Sequence, residues 1–166
     1  MLPQAKVDSR FLVALSQKPR MAALEFNGSC LDAEALSKLS KLPLLQTLVI
    51  HHLAPSTLQS LSECRALTGL GLYDCKLSVA DAEAIEALRF RTLDLVNPIV
   101  EKGFFRKLKQ HPTIVRITIQ NGAEYFSTSS TANGERPITL AELEYCEDHF
   151  ITDEVFSKPS STPASP

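Results

Sequence analysis

Residues 67–77 read Leu-Thr-Gly-Leu-Gly-Leu-Tyr-Asp-Cys-Lys-Leu, which is the pattern L-x-x-L-x-L-x-x-C-x-L with every position filled. The same apolar frame opens at positions 21, 45, 67, 90 and 114, so successive copies start 24, 22, 23 and 24 residues apart. Five starts in phase indicate a repeat and not a chance motif. The first, fourth and sixth positions of the copies hold Met21, Leu24, Phe26; Leu45, Leu48, Ile50; Leu67, Leu70, Leu72; Phe90, Leu93, Leu95; and Ile114, Ile117, Ile119.

This frame resembles the signature of the leucine-rich-repeat family, in which repeats of about 20–29 residues carry Asn or Cys at the ninth position. The resemblance covers roughly residues 20–122. It implies an α/β fold, a right-handed solenoid forming a horseshoe segment, with a short parallel sheet on the concave face and helices on the convex face. Because Cys75 fills the ninth position, and Ser29 and Leu53 fill it elsewhere, the usual asparagine ladder that satisfies loop backbone groups must be partly replaced.

The residue pattern within and after each copy of the frame fits a repeating unit. Each unit would consist of a strand, a turn, a helix and a segment that leads back to the next strand. Alternation over Leu48-Val49-Ile50 predicts a strand, and the apolar positions after each strand have helical spacing. Those positions are Leu31, Ala35, Leu36 and Leu39; Leu58 and Leu61; Val79, Ala82, Ile85 and Leu88; and Phe104, Phe105 and Leu108. A doubly wound βαβ sandwich is the competing architecture, but it needs about 30 or more residues per unit.

Local signals mark where the predicted helices begin and end. The residues that can cap a following helix are Asp32, Ser56 and Ser78. Ser78-x-x-Asp81 is close to a capping box, in which two side chains satisfy each other's backbone N–H groups. Pro43 and Pro112 fall where helices must end before the next strand.

Four segments are predicted along the chain. An amphipathic helix over residues 7–17, within segment 1–20, should cap the solenoid of segment 21–122. Segment 123–156 should contain a polar loop at 127–136 and a second capping helix, which starts at a capping box at Thr139 and ends near Phe150. Segment 157–166, rich in serine and proline, is expected to be a disordered tail.

Function is expected on the strands, where the residues between the consensus leucines alternate onto the concave face. Gly69 and Gly71 should leave a bare patch beside Tyr73, which suits a protein partner because Tyr and Arg are common anchors of such interfaces. The predicted partner-binding residues are Glu25, Thr47, His51, Tyr73, Asp94, Arg116 and Thr118. The sequence therefore favours a non-catalytic protein–protein interaction module.

An alternative of another class is a thiol-dependent enzyme centred on Cys146, with Asp148 or His149 as a helper. Some bacterial ubiquitin ligases join leucine-rich repeats to a large helical domain with a Cys-x-Asp motif, and Cys146-Glu147-Asp148 has that spacing. Only residues 123–156 and the tail follow the repeats, which is far short of such a domain. The carboxylates of Glu144, Glu147 and Asp148 should also raise the pKa of the thiol, whereas a reactive cysteine needs a lowered one.

No cofactor or metal site is predicted. The adjacent His51 and His52 should point to opposite faces of a strand and so cannot easily share one ion. Cys30 and Cys75 lie at or beside the turn position, where a small thiol can be buried as a structural group. The chain holds no glycine-rich phosphate loop, G-x-S-x-G or H-E-x-x-H motif.

Composition limits the kind of partner and the compartment. The net charge is −2 and the pI is about 6.1, so nothing in the charge balance favours nucleic acid or an anionic membrane. No apolar run approaches the ~20 residues of a membrane span, and the first residues do not resemble a signal peptide. Four cysteines without a close pair suggest a reducing environment. We expect a cytoplasmic monomer that binds another protein, unless it is exported by a signal of unrecognised type.

Overall fold

The computed structural model describes residues 14–15, 20–29, 31, 33–108, 113–121 and 124–129. Of the predicted N-terminal helix, Ala14 and Leu15 are described and helical, and Leu15 packs against the core. The rest of that helix, the cap at Asp32, Pro112, the helix at 139–150 and the tail lie outside the described residues.

Five parallel strands follow one another across a sheet in the order of the chain. They are β1 (Ala23–Asn27), β2 (Thr47–His51), β3 (Gly69–Tyr73), β5 (Thr92–Val96) and β7 (Arg116–Asn121). The strand β8 (Glu124–Ser129) pairs antiparallel with β7 at the edge. The strands β4 (Lys76–Leu77) and β6 (Ile99–Val100) form a separate parallel pair. The predicted parallel sheet and its five strand positions are confirmed.

Helical segments connect the parallel strands. They are α1 (Ala33–Ser37), which continues as a 3₁₀ helix at Lys38–Lys41; a 3₁₀ helix at Leu58–Leu61; α2 (Val79–Ala87); and α3 (Phe104–Leu108). Each packs against the next in chain order. We call each parallel strand of the large sheet, together with the residues up to the next parallel strand of that sheet, a unit. No helix in the described ranges is long and apolar enough to cross a membrane.

The strand register aligns the inward side chains in two columns. One column is Leu24, Leu48, Leu70, Leu93 and Ile117, and the other is Phe26, Ile50, Leu72, Leu95 and Ile119. All of them are buried except Leu24, which is half-buried on the edge strand. Together with Leu36, Leu58, Ile85 and Phe104 of the helical segments they form one core. The predicted stacking of Leu24, Leu48, Leu70, Leu93 and Ile117 in one column is thus confirmed.

Asp81 ties two units together at the start of α2. The predicted capping box is present, because Ser78 N–H donates to Asp81 Oδ2 at 2.9 Å and Asp81 N–H donates to Ser78 Oγ at 3.3 Å. The same carboxylate accepts the backbone N–H of Ser56 at 2.8 Å and of Leu58 at 3.4 Å from the preceding unit. Asp81 is only 1% exposed. The sequence signal identified the local cap and missed this link between units.

Ser56 does not cap a helix, contrary to its prediction. Thr57 precedes the 3₁₀ helix at Leu58–Leu61 and makes no side-chain capping bond. Ser56 instead has a φ of 61° and donates its backbone N–H to Asp81. The reason is that a buried carboxylate of the next unit already accepts the donors of this turn.

A residue with left-handed backbone follows three of the parallel strands at the same position of the frame. These residues are His52, Asp74 and Asn97, with φ between 47° and 54°. Each donates its backbone N–H to a carbonyl near the end of the neighbouring parallel strand, namely Tyr73 O, Val96 O and Gln120 O respectively. His, Asp and Asn are the non-glycine residues that tolerate this region best, so the turn recurs from unit to unit without glycine.

We expect a β-branched residue at position 52 to destabilise the protein. The His52→Val variant should have a free energy of unfolding about 1–2 kcal/mol below that of His52→Asn, because valine is strongly disfavoured in left-handed backbone and asparagine is tolerated. His52 is exposed, so neither change alters the core. Urea denaturation of both variants measures the difference, and equal stabilities would contradict the strain argument.

Cys75 forms hydrogen bonds with the backbone around the turn that follows β3. Its Sγ accepts the N–H of Leu53 at 3.3 Å and lies 3.2 Å from Tyr73 O and 3.5 Å from Ile50 O, to which the thiol can donate. Burial, partly offset by these backbone hydrogen bonds, raises the pKa of the Cys75 thiol from 9.0 to about 11. Its predicted role as a buried structural thiol agrees with these contacts.

The raised pKa of Cys75 makes the stability depend on alkaline pH. Below pH 9 the thiol is protonated in both the folded and the unfolded protein, so its contribution to the free energy of unfolding is complete. Above pH 9 the thiol ionises first in the unfolded chain, and the free energy of unfolding therefore falls until about pH 11. We expect this group to contribute a loss of about 2 kcal/mol by pH 11. The deficit of the Cys75→Ala variant, measured by urea denaturation, should therefore shrink between pH 8 and pH 11; a constant deficit would contradict this assignment.

The structure departs from the predicted polar loop at 127–136 where it describes that segment. Residues 127–129 belong to β8, which is hydrogen-bonded to β7 from Asn121↔Glu124 to Arg116↔Ser129. An antiparallel partner adds to the sheet edge through main-chain hydrogen bonds, which need no particular side-chain pattern. The polar composition of this segment therefore concealed a strand.

Candidate functional site

The register brings all seven predicted partner-binding residues to the same face of the sheet. This face, opposite the core columns, consists of three rows: Ala23, Thr47, Gly69, Thr92 and Arg116; Glu25, Val49, Gly71, Asp94 and Thr118; and Asn27, His51, Tyr73, Val96 and Gln120. We call these positions the outer face. It exists because residues alternate sides along each strand while the parallel pairing keeps equivalent positions side by side.

Three polar side chains on the outer face interact across neighbouring strands. His51 Nε2 lies 2.9 Å from Glu25 Oε1, so a ring N–H can donate to the carboxylate. The rings of His51 and Tyr73 meet edge to face, with centroids 4.9 Å apart and planes at 75°. The imidazole therefore lies between a carboxylate and an aromatic ring, and these contacts orient all three groups.

The phenol of Tyr73 is a hydrogen-bond donor at neutral pH. Its pKa is raised above the ordinary 10.0, first by burial and then by the negative charges of Asp94 and Glu25. The ring presents an apolar body with a polar tip, a combination common at the centre of protein interfaces.

The two glycines do not leave the predicted bare patch. At Gly71 the space of a side chain is occupied by its neighbours: a Cβ there would lie 3.1 Å from Val49 Cγ2 and 3.3 Å from Tyr73 Cε1. At Gly69 a Cβ would meet Thr92 Oγ1 at 3.0 Å and Thr47 Oγ1 at 3.8 Å. Both glycines are buried because side chains of adjacent strands lean over them. Gly71 thus supports Tyr73 instead of opening the face.

An open depression of about 460 Å³ lies where the parallel strands begin, around Gly69. Its walls carry the hydroxyls of Thr47 and Thr92 and the charged side chains of Arg91, Asp94 and Arg116. Leu70 and Val115 also line it, so hydrogen-bond donors stand beside apolar surface.

Arg91 is the residue of this depression that sequence reasoning missed. It occupies the second position of the frame, directly before β5, whereas the predicted outward residues occupy the third, fifth and seventh positions. A signal was available, since the second position of the frame, held by Thr68, Arg91 and Val115, lines the same depression in three successive units.

The two adjacent histidines differ in backbone conformation. His51 ends β2 and His52 follows in left-handed backbone, with the ring centroids 6.4 Å apart and tilted by 52°. Within the described ranges, no group of three His, Cys, Asp or Glu side chains is placed to hold a metal ion.

The described cysteines are buried thiols. Burial, with a smaller effect of Glu63, raises the pKa of Cys64 to about 11, as burial does for Cys75. Both are therefore protonated at neutral pH and poor nucleophiles. Cys30 and the predicted alternative site at Cys146, with Asp148 and His149, lie outside the described residues.

Comparison with known proteins adds no assignment to this geometry. No protein-family model matches the chain, and a comparison with curated proteins finds no significant match. The outer face and its depression are therefore interpreted from their own residues.

Proposed function

We propose that the chain is a leucine-rich-repeat solenoid that binds another protein through the outer face, which would be the concave surface of the horseshoe. Parallel strands in chain order, two continuous columns of apolar side chains and a helical segment after each of the first four parallel strands support the solenoid. The thiol of Cys75 at the ninth position of the frame, bonded to neighbouring backbone, supports the repeat type.

The observation that carries the binding function is the arrangement of all seven candidate residues on one face, beside an open depression. Tyr73 is packed by Gly71, Val49 and His51, so it would pay little further conformational entropy on binding. Tyrosine and arginine are both common at interface centres, and the outer face carries Tyr73 at one end of its strands and Arg116 at the other.

We favour binding over catalysis because the polar groups of the face are arranged as contacts and not as a reactive set. The ring of His51 is engaged by Glu25 and Tyr73. The described thiols of Cys64 and Cys75 are held protonated by their raised pKa values. We therefore propose a module that needs no cofactor.

We also propose that the module is a monomer in the cytoplasm, with neither nucleic acid nor membrane as its partner. The near-neutral charge balance and the buried free thiols Cys64 and Cys75 support this placement.

Substitutions on the outer face should weaken partner binding without unfolding the protein. The partner is first captured from a native lysate on the immobilised full chain and then purified, and its dissociation constant is measured by calorimetry. We expect Tyr73→Ala and Arg116→Glu each to raise that constant at least about tenfold, with melting temperatures close to that of the wild type.

The matched control is Arg89→Glu, which makes the same charge reversal away from the outer face. Arg89 is exposed and lines a different depression, with Arg65 and Cys64. Its variant should bind like the wild type. If both Tyr73→Ala and Arg116→Glu bound the partner as tightly as the wild type, the outer face would not be the binding surface.

A further inference from the structure

We propose that the depression around Gly69 receives the carboxylate of an acidic side chain in the bound partner. This inference rests on the proposed function, because it names the chemistry of the group that the outer face recognises. The arginine and threonine side chains on which the inference depends have no hydrogen-bond or ion-pair partner within the described residues.

The shape of the site follows from the row Thr47, Gly69, Thr92 and Arg116. Gly69 contributes no side chain, and its two neighbours in the row place hydroxyl groups toward the vacant position, with Thr92 Oγ1 at 3.0 Å from where a Cβ would be. Gly71, one row further, is instead covered by Val49 and Tyr73. The depression is therefore lined by hydroxyl groups at Gly69, whereas Val49 and the ring of Tyr73 line the face at Gly71.

The charge of the site comes from Arg91, which directly precedes β5, and from Arg116, the first residue of β7. Arg116 N–H donates to Arg91 O at 3.2 Å, so the main chains from which both guanidinium groups extend are held next to each other. Within the residues that the structure describes, neither guanidinium forms an ion pair or a hydrogen bond. Their planar N–H groups are available to a group with two oxygens, which arginine binds in a bidentate manner.

A monoanion fits this site better than a dianion. Asp94 lines the same depression, so two positive charges and one negative charge leave an excess of one positive charge. The hydroxyls of Thr47 and Thr92 make no hydrogen bond within the described residues and can donate to a carboxylate oxygen. A phosphate dianion would bring a second negative charge close to Asp94.

The test is a titration of the ¹⁵N-labelled full chain with short capped peptides, followed by nuclear magnetic resonance. The probes are acetyl-Gly-Glu-Gly-amide, the same peptide with glutamine, and the same peptide with phosphoserine. We expect the glutamate peptide to shift the Gly69 amide and the Nε–Hε signals of Arg91 and Arg116 saturably. The glutamine peptide should bind at least about tenfold more weakly, because it cannot form charge-assisted hydrogen bonds.

The variants Arg116→Gln and Arg89→Gln complete the test. The first should abolish the shift of the Gly69 amide, and the second should leave it unchanged. Absence of a saturable shift at Gly69, equal binding of the glutamate and glutamine peptides, or much tighter binding of the phosphoserine peptide would each overturn the carboxylate site. Sensitivity of the captured partner to Tyr73→Ala would still support the proposed function, so the two failures are distinguishable.

Discussion

The Asp81→Ala variant is expected to lose about 2–4 kcal/mol of its free energy of unfolding. The substitution removes the acceptor of three backbone N–H groups, those of Ser56, Leu58 and Ser78, two of which belong to the preceding unit. A buried donor left without a partner costs about 1–3 kcal/mol, and the site, with Asp81 only 1% exposed, admits little water. Urea denaturation followed by circular dichroism measures the loss.

The control for Asp81 is Glu83→Ala, which removes another acidic side chain from the same helix. Glu83 is exposed and its ion pair with Lys107, at 3.1 Å, is about half-exposed on both sides. Such pairs contribute about 0–1 kcal/mol, so this variant should remain close to the wild type. If Asp81→Ala were no less stable than Glu83→Ala, the role of the carboxylate in joining two units would be refuted.

The second large effect is expected at the centre of the core. The Leu72→Ala variant should lose about 3–5 kcal/mol, because it leaves a cavity between Ile50 and Leu95, its register partners on both sides, and all three are fully buried. The structure offers few ways to close that cavity, since the neighbouring strands are fixed by parallel hydrogen bonding.

The same substitution at an exposed leucine provides the comparison. Leu44 is 50% exposed and lies outside the strands, so Leu44→Ala should cost less than about 1 kcal/mol. Thermal denaturation of both variants under identical conditions gives the two values. Similar losses in the two variants would mean that the column of aliphatic side chains is not the main source of stability.

These two effects belong to groups that lie away from the outer face. Leu72 points into the core, and Asp81 lies at the start of α2, whereas Tyr73 and Arg116 belong to the rows of the face. Stability and recognition therefore depend largely on different side chains. This separation is the physical reason to expect binding variants that keep the fold.

The strand positions and the core columns could be predicted because their signals are local. Apolar residues alternate within each strand, and the same frame recurs after 22–24 residues, so equivalent leucines must align if the strands pair in parallel. The seven candidate residues were placed on one face by the same reasoning. A periodic pattern carries this information without any knowledge of neighbouring units.

Contacts between units escaped the same reasoning. The carboxylate of Asp81 reaches back about one repeat to Ser56, and Val49 and Tyr73 fill the space beside Gly71. Arg91 faces the same depression as Arg116 although it precedes its strand. Each of these depends on side-chain length and direction in a neighbouring unit, which a repeat pattern does not encode.

The order of amino acids by itself determined which side chains enter the core and which remain on the outer face, because an extended chain alternates sides at every residue. Only the tertiary structure decided which outer groups meet, such as Glu25 with His51 across 26 residues of chain, and which side chains cover Gly69 and Gly71. Alternation is a property of one strand, whereas the contacts arise when side chains of different volume and reach share the space between strands.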